Sequence, residues 1–172
     1  MRPTRAAAIG SALFFLIGPG LEAGVGPWLV TRTGVWAGHG WPVAVRVAGA
    51  LLMAGGLAVL VPIFARFVTE GAGTPSPAAP SARLIVGGAY RHVRNPMYLA
   101  TAAVIVGEGL AFAQPILFLA AAVYCVALAT LGRVVEEPRL ARRFGPSYTA
   151  YRRAVPAWRP RLRPWDPGAG PT

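Results

Sequence analysis

Apolar positions along this chain fall into four long blocks rather than into a short-period alternation. The blocks cover residues 6–21, 43–64, 97–112 and 115–131, and charged residues are nearly absent inside them. No stretch alternates apolar and polar positions for long enough to suit a β-barrel, so the pattern predicts helices. A membrane span needs about 20 apolar residues, with a lower limit near 17. The second block meets that length, while the first and third are short for it. Gln114-Pro115 separates the third and fourth blocks by almost nothing, which predicts a tight antiparallel hairpin in which both helices are short. The first block runs into Pro19-Gly20 and Glu22, and Gly26-Pro27-Trp28 follows, leaving its outer end open.

Composition turns four helices into four membrane helices. Hydrophobic residues make up 55% of the 172 and charged residues 13%. A soluble domain carries about a quarter charged residues, so a water-soluble fold of this chain would expose too much apolar surface. Backbone groups in lipid must be satisfied within the segment, and a helix does this. The expected fold class is therefore all-α: an integral membrane domain of about four transmembrane helices. The opening Met1-Arg-Pro-Thr-Arg has the shape of a signal peptide, but no small-residue cleavage site stands in a polar context, so it reads as a retained span.

Charge supplies the orientation. All 17 basic residues are Arg, against 6 acidic residues. With the N-terminus inside, fifteen arginines fall on the cytosolic side and only Arg32 and Arg46 on the other, as the positive-inside rule requires. Both termini are then cytosolic, and the expected location is a bacterial plasma membrane. The arginines flank apolar blocks instead of forming a stripe on a soluble fold, so nucleic acid is not the expected partner; the lipid bilayer is. The single Cys125 lies in an apolar block and excludes an intrachain disulfide. No metal-ligand cluster stands out.

The same orientation brings the middle loop and the C-terminal tail to one compartment. Residues 69–82 are rich in Gly, Pro, Ser and Ala and read as a linker. Beyond it, residues 87–98 form the densest polar cluster between two spans, ending in Asn95-Pro96-Met97-Tyr98. Asn suits a helix cap and Pro the first helical turn, so Asn95 should mark the start of the third helix, where free N–H groups favour a carboxylate. The second cluster is Glu136-Glu137-Pro138, just past the fourth block and returned by the hairpin to the side of Asn95. The two clusters have the chemistry to hold the carboxylate and ammonium of one amino-acid moiety. Leu140, Phe144, Tyr148 and Tyr151 recur at helical spacing among arginines, predicting an interfacial amphipathic segment that Gly145-Pro146 splits in two. Glu108, an acid inside the third block, should face the bundle interior; its expected depth is near the middle of the bilayer. Residues 161–172 read as a flexible tail.

Tyr90-Arg-x-x-Arg-Asn-Pro-Met-Tyr98, followed by Glu136-Glu137-Pro138-x-Leu140 and Phe144-Gly145-x-x-Tyr148-x-x-Tyr151, resembles the superfamily of isoprenylcysteine carboxyl methyltransferases and phospholipid methyltransferases. The resemblance covers about residues 83–160 and, more weakly, the second block. It implies one domain in which residues 1–68 supply N-terminal helices and residues 83–160 bind S-adenosyl-L-methionine, with a lipidic or amphipathic methyl acceptor arriving from the bilayer. Carried over by position, Tyr90, Asn95, Pro96, Met97 and Tyr98 would line the cofactor pocket, Arg83, Leu84 and Ile85 would help close it, and Glu136 would take the methionine ammonium. Glu137 and Glu108 are the candidate bases, and Arg133, Tyr148 and Tyr151 the candidate contacts to the acceptor. Asn95 stands where the prenylcysteine enzymes have His and the phospholipid methyltransferases have Asn, and Gly132, with Arg133 beside it, where the prenylcysteine enzymes have a substrate-contacting Arg; these departures speak against prenylcysteine as the acceptor. Gly55-Gly56 occupies the place of a Gly-x-Gly in the second helix, where helix packing explains small residues equally well. The resemblance also allows a nicotinamide-dependent membrane reductase of related fold, or a non-catalytic scaffold.

Overall fold

A computed structural model describes residues 20–32, 40–69 and 83–166, together with Leu13 and Gly18. Most of the first apolar block, the linker from residue 70 to 82 and the end of the tail from residue 167 lie outside the described residues. Every regular element described is helical. A π-helical turn, Leu21–Val25, leads into the short α1, Gly26–Thr31. The long α2 runs Val43–Thr69, a 3₁₀ turn covers Gly88–Arg91, and α3 runs Pro96–Ala111. Then α4, Ile116–Leu131, passes through a π turn at Gly132–Glu136 into α5, Glu137–Ala154.

Two of these helices are long and apolar enough to cross a membrane: Val43–Arg66, and the continuous helix that starts at Ile116. The third block forms a shorter apolar helix of 16 residues, about 24 Å long at 1.5 Å per residue. It turns back at Ala113, which takes a positive φ of 53°, and Gln114 N–H closes the turn on the carbonyl of Gly109 at 2.8 Å. The expected hairpin is present.

Close backbone approach holds α2 to α3. A Cβ on Gly49 would stand 2.5 Å from the Ala111 nitrogen, and one on Gly107 would stand 2.8 Å from the Gly49 carbonyl oxygen. A Cβ on Gly56 would stand 2.7 Å from Val104, while Gly55 has nothing within 4 Å. Gly56 is therefore a helix-packing residue, as small residues in membrane helix contacts are. Below it, Leu60 and Phe64 bury against Ala100 and Val104, and Ala23 from the first segment packs on the same cluster. Ala23 also joins the second cluster, Ile105, Leu117 and Ala121, so the first segment wedges against the hairpin.

The helix α5 breaks where Gly145 and Pro146 predict. Gly145 takes φ 52° and ψ −126°, outside any helical region, and Pro146 opens the second half. That half buries Tyr148 and Tyr151, which with Val155 form a third cluster against Leu84, Val86, Phe144 and Trp165.

Candidate active site

The site begins at the first turn of α3. Asn95 occupies the cap position with φ −116° and ψ 55°, outside the helical region, and Pro96 follows at the first helical position, buried. Pro suits that position because its missing N–H would have no helical partner there and its φ is already helical. The Asn95 side chain makes no capping hydrogen bond, so the residue marks the helix start as expected without spending its amide on it. Tyr98, one turn in, donates a hydrogen bond to Oε1 of Glu136, which comes from the π turn that follows α4. This contact joins the two sequence clusters across the hairpin.

The adjacent acids Glu136 and Glu137 have different partners. Glu137 accepts from Arg94 Nη1 at 2.6 Å on one oxygen and pairs with Arg152 Nη2 at 3.2 Å on the other. Arg94 makes two further contacts: Nη1 also reaches the Tyr148 hydroxyl at 3.3 Å, and Nε donates to the Val155 carbonyl at 2.9 Å. The Arg94 and Glu137 side chains are only 12% and 16% exposed, so the pair is a buried anchor. Glu136 has a neutral partner instead, the phenol of Tyr98, and its other oxygen lies toward Gly132, where a Cβ would come no closer than 3.9 Å. A neutral hydroxyl orients a carboxylate without cancelling its charge, whereas two guanidiniums cancel it.

A strap formed by residues 156–165 closes the site from outside. Its backbone bonds back to the loop before α3: Arg94 N–H to Pro156, Asn95 N–H to Ala157, and Arg161 N–H to the His92 carbonyl. His92 Nδ1 is 2.8 Å from the Arg161 carbonyl oxygen, and Arg91 Nε donates to Trp165. Trp158 stacks on Tyr98 with ring centroids 6.3 Å apart. The chain between residues 161 and 166, expected as flexible tail, is thus tied to the loop. The strap covers Tyr98, while the second half of α5 packs beneath it through Tyr151 and Trp165.

The expected site residues separate into groups. Tyr90, Asn95, Tyr98 and Glu136 converge. The Tyr90 carbonyl accepts from the Tyr151 hydroxyl at 2.8 Å, and burial, with the charge of Glu136 adding to it, pushes the Tyr90 phenol above its ordinary range, keeping it a neutral donor. Met97 packs on the Leu60 cluster. Ile85 is buried and Leu84 rests on the Tyr148 cluster, with Arg83 exposed beside them. Tyr148 and Tyr151 are 2% and 3% exposed, so both serve the packed core of this layer. Arg133 is exposed on the π turn. Glu108 is not brought to the cluster: ten residues separate it from Tyr98, about 15 Å along α3, and it lies one turn from the far end of that helix with Oε2 enclosed and unbonded.

Two residues were missed as site residues. Arg94 is the hub of the acid pair, and the signal for it was charge: a basic residue directly before a helix start whose hairpin partner ends in two acids. Trp158 covers Tyr98, and nothing in its local pattern distinguishes it from an interfacial anchor.

Beside the cluster, an open apolar groove of about 400 Å³ runs between α2, α3 and α4. Leu52, Leu99, Val106, Phe118 and Cys125 are among its walls. It begins at Leu99, next to Tyr98, and its lining is almost entirely hydrocarbon.

Comparison with curated proteins returns no match. A family model described as phospholipid methyltransferase matches residues 44–147, from the start of α2 to the break in α5. The match therefore takes in the packed α2–α3 pair, the Asn95–Tyr98 helix start and the Glu136–Glu137 pair. On that match, and with two helices fit to cross a membrane, the chain is a membrane methyltransferase and belongs to the phospholipid methyltransferase family.

Proposed function

We propose that this protein transfers a methyl group from S-adenosyl-L-methionine to a lipidic or amphipathic acceptor at the cytosolic face of the membrane. The observation that carries the reading is the division of labour in the acid pair. Glu137 is paired with Arg94 and Arg152, whereas Glu136 has the uncharged Tyr98 hydroxyl as its partner. A single charged carboxylate facing the start of α3 fits an α-ammonium, and the free N–H groups of the same helix start, with the uncommitted Asn95 amide, fit an α-carboxylate. Tyr90, Tyr98 and Trp158 offer aromatic surface to the rest of the ligand. The cofactor supplies an activated methyl on a sulfonium, so the protein needs no nucleophilic side chain. Its own contribution is to bind, align and exclude water.

The apolar groove beginning at Leu99 suits an acyl or prenyl chain. Gly132 beside Glu136 offers no cation to a carboxylate acceptor, which favours a neutral or cationic headgroup. Glu137, held by two arginines, acts as a positioning residue rather than as a base. The four apolar blocks cross the membrane with both termini inside, putting the acid pair and the strap in the cytosolic layer. A labelled-methyl transfer assay with total lipid extract tests the reading. Label is expected in a lipid product, and its absence from every lipid class with the cofactor bound would reject the reading.

A further inference from the structure

A second groove, of about 270 Å³, lies at the end of α2 and shares no lining residue with the apolar one. Its α2 lining runs from Ala58 to Arg66, and the 3₁₀ turn adds Gly88 and Ala89. Val59 and Pro62 are exposed within it. The groove is thus hydrocarbon along the helix and cationic at one end. Arg66 is also the last residue of the stretch fit to cross a membrane, Val43–Arg66. With that stretch in a bilayer, Arg66 stands where hydrocarbon gives way to headgroups. Val59 is seven residues deeper, about 10 Å along the helix, among the acyl chains.

The Arg66 side chain is held in place there. Gly88 takes a φ of 57°, and a Cβ on it would stand 2.5 Å from Arg66 Nε and 3.1 Å from Cζ. The turn therefore meets the guanidinium at a distance that only glycine permits, in a conformation that glycine adopts without strain. A guanidinium carries five N–H donors in a fixed fork, so a protein partner on it leaves donors for a ligand. That fork matches the oxygens of a phosphate. None of the described residues lining the groove is acidic. A choline or ethanolamine headgroup would find no counter-charge and would bring its own cation beside Arg66, whereas a headgroup of net negative charge would not.

We propose that this groove binds an anionic phospholipid, with its phosphodiester on Arg66 and the start of one acyl chain along Pro62 and Val59. The lipid is separate from the methyl acceptor, and the inference stands without the methyl-transfer reading. Bound there, it clamps the end of α2 to the turn that carries Tyr90.

The test titrates the whole protein in dodecylmaltoside micelles with dioleoyl phosphatidylglycerol or dioleoyl phosphatidylcholine, which share chains and phosphate and differ in net charge. Affinity is read from the rise in unfolding temperature. The wild type should prefer phosphatidylglycerol by about tenfold, the scale of one charge–charge interaction near a protein surface. R66Q should lose the preference. V59W should lose it too, since it fills the groove without removing a charge. R142Q, which removes an exposed arginine of α5, should keep it. No preference in the wild type, an unchanged preference in R66Q or V59W, or an equal loss in R142Q overturns the assignment. The mass of protein per micelle is measured alongside and should be the same in wild type and V59W. A wild-type dimer that V59W turns into a monomer would give the groove to a second copy of the chain and overturn the lipid site.

Discussion

Arg94 and Glu137 meet at 2.6 Å although 43 positions separate them, and this one contact decides which acid of the adjacent pair stays available. It also ties the loop before α3 to the start of α5, since Arg94 bonds the Val155 carbonyl as well. Because both side chains are largely buried, removing one partner leaves the other charge enclosed. Arg94→Met should lower stability by about 3 kcal/mol, read as thermal unfolding in detergent. Adding Glu137→Gln to that variant should restore part of the loss. A single variant as stable as the wild type would mean that the pair holds nothing.

The α2–α3 seam makes a prediction from two neighbouring glycines. A Cβ at Gly56 would press on Val104 and the Ala100 carbonyl, whereas one at Gly55 meets nothing. Gly56→Ala should destabilise by about 1–3 kcal/mol through overpacking. Gly55→Ala should be neutral or stabilising by up to about 1 kcal/mol, since Ala is the better helix former. Comparing the two unfolding temperatures checks this directly.

High pH should loosen the layer that holds Tyr90 and Tyr151 before the apolar bundle. Burial first, then the charge of Glu136, raises the Tyr90 phenol; burial first, then Tyr90, raises that of Tyr151. For groups raised in the folded state, the stabilisation is complete below the ordinary phenol range, near 10. It falls as pH rises past that value, because the unfolded chain loses its protons first, and it is gone above the raised native value. Tryptophan emission should therefore change above about pH 10, and Tyr90→Phe with Tyr151→Phe should reduce the slope. A slope unaffected by both substitutions would contradict the assignment.

Trp158→Ala should free the strap from Tyr98 without disturbing the buried Tyr148 cluster. Proteolysis in the segment from residue 156 to 165 should quicken, and cofactor affinity should fall severalfold while the unfolding temperature moves little. Unchanged proteolysis and affinity together would deny the strap its covering role.

Much of this arrangement was legible before any coordinates. Asn95-Pro96 and Gly145-Pro146 carry backbone requirements that local sequence states outright, and the helix start and the break stand where those residues put them. The hairpin followed from the two residues between apolar blocks. The Arg94–Glu137 contact was less legible because side-chain pairing over 43 positions depends on how the π turn at Gly132–Glu136 rotates the acids. The strap was hidden for another reason: a Pro- and Arg-rich segment looks the same whether its backbone bonds to water or to the loop before α3.

The central claim is that Glu136 holds the ammonium of S-adenosyl-L-methionine. Calorimetric titration of that cofactor into the wild type and into Glu136→Gln, both in detergent, tests it most directly. The account predicts a loss of affinity of about tenfold or more, as for a charge-assisted hydrogen bond removed, with little change in unfolding temperature because Glu136 forms no ion pair with the described residues. Equal affinity in the two proteins would contradict it.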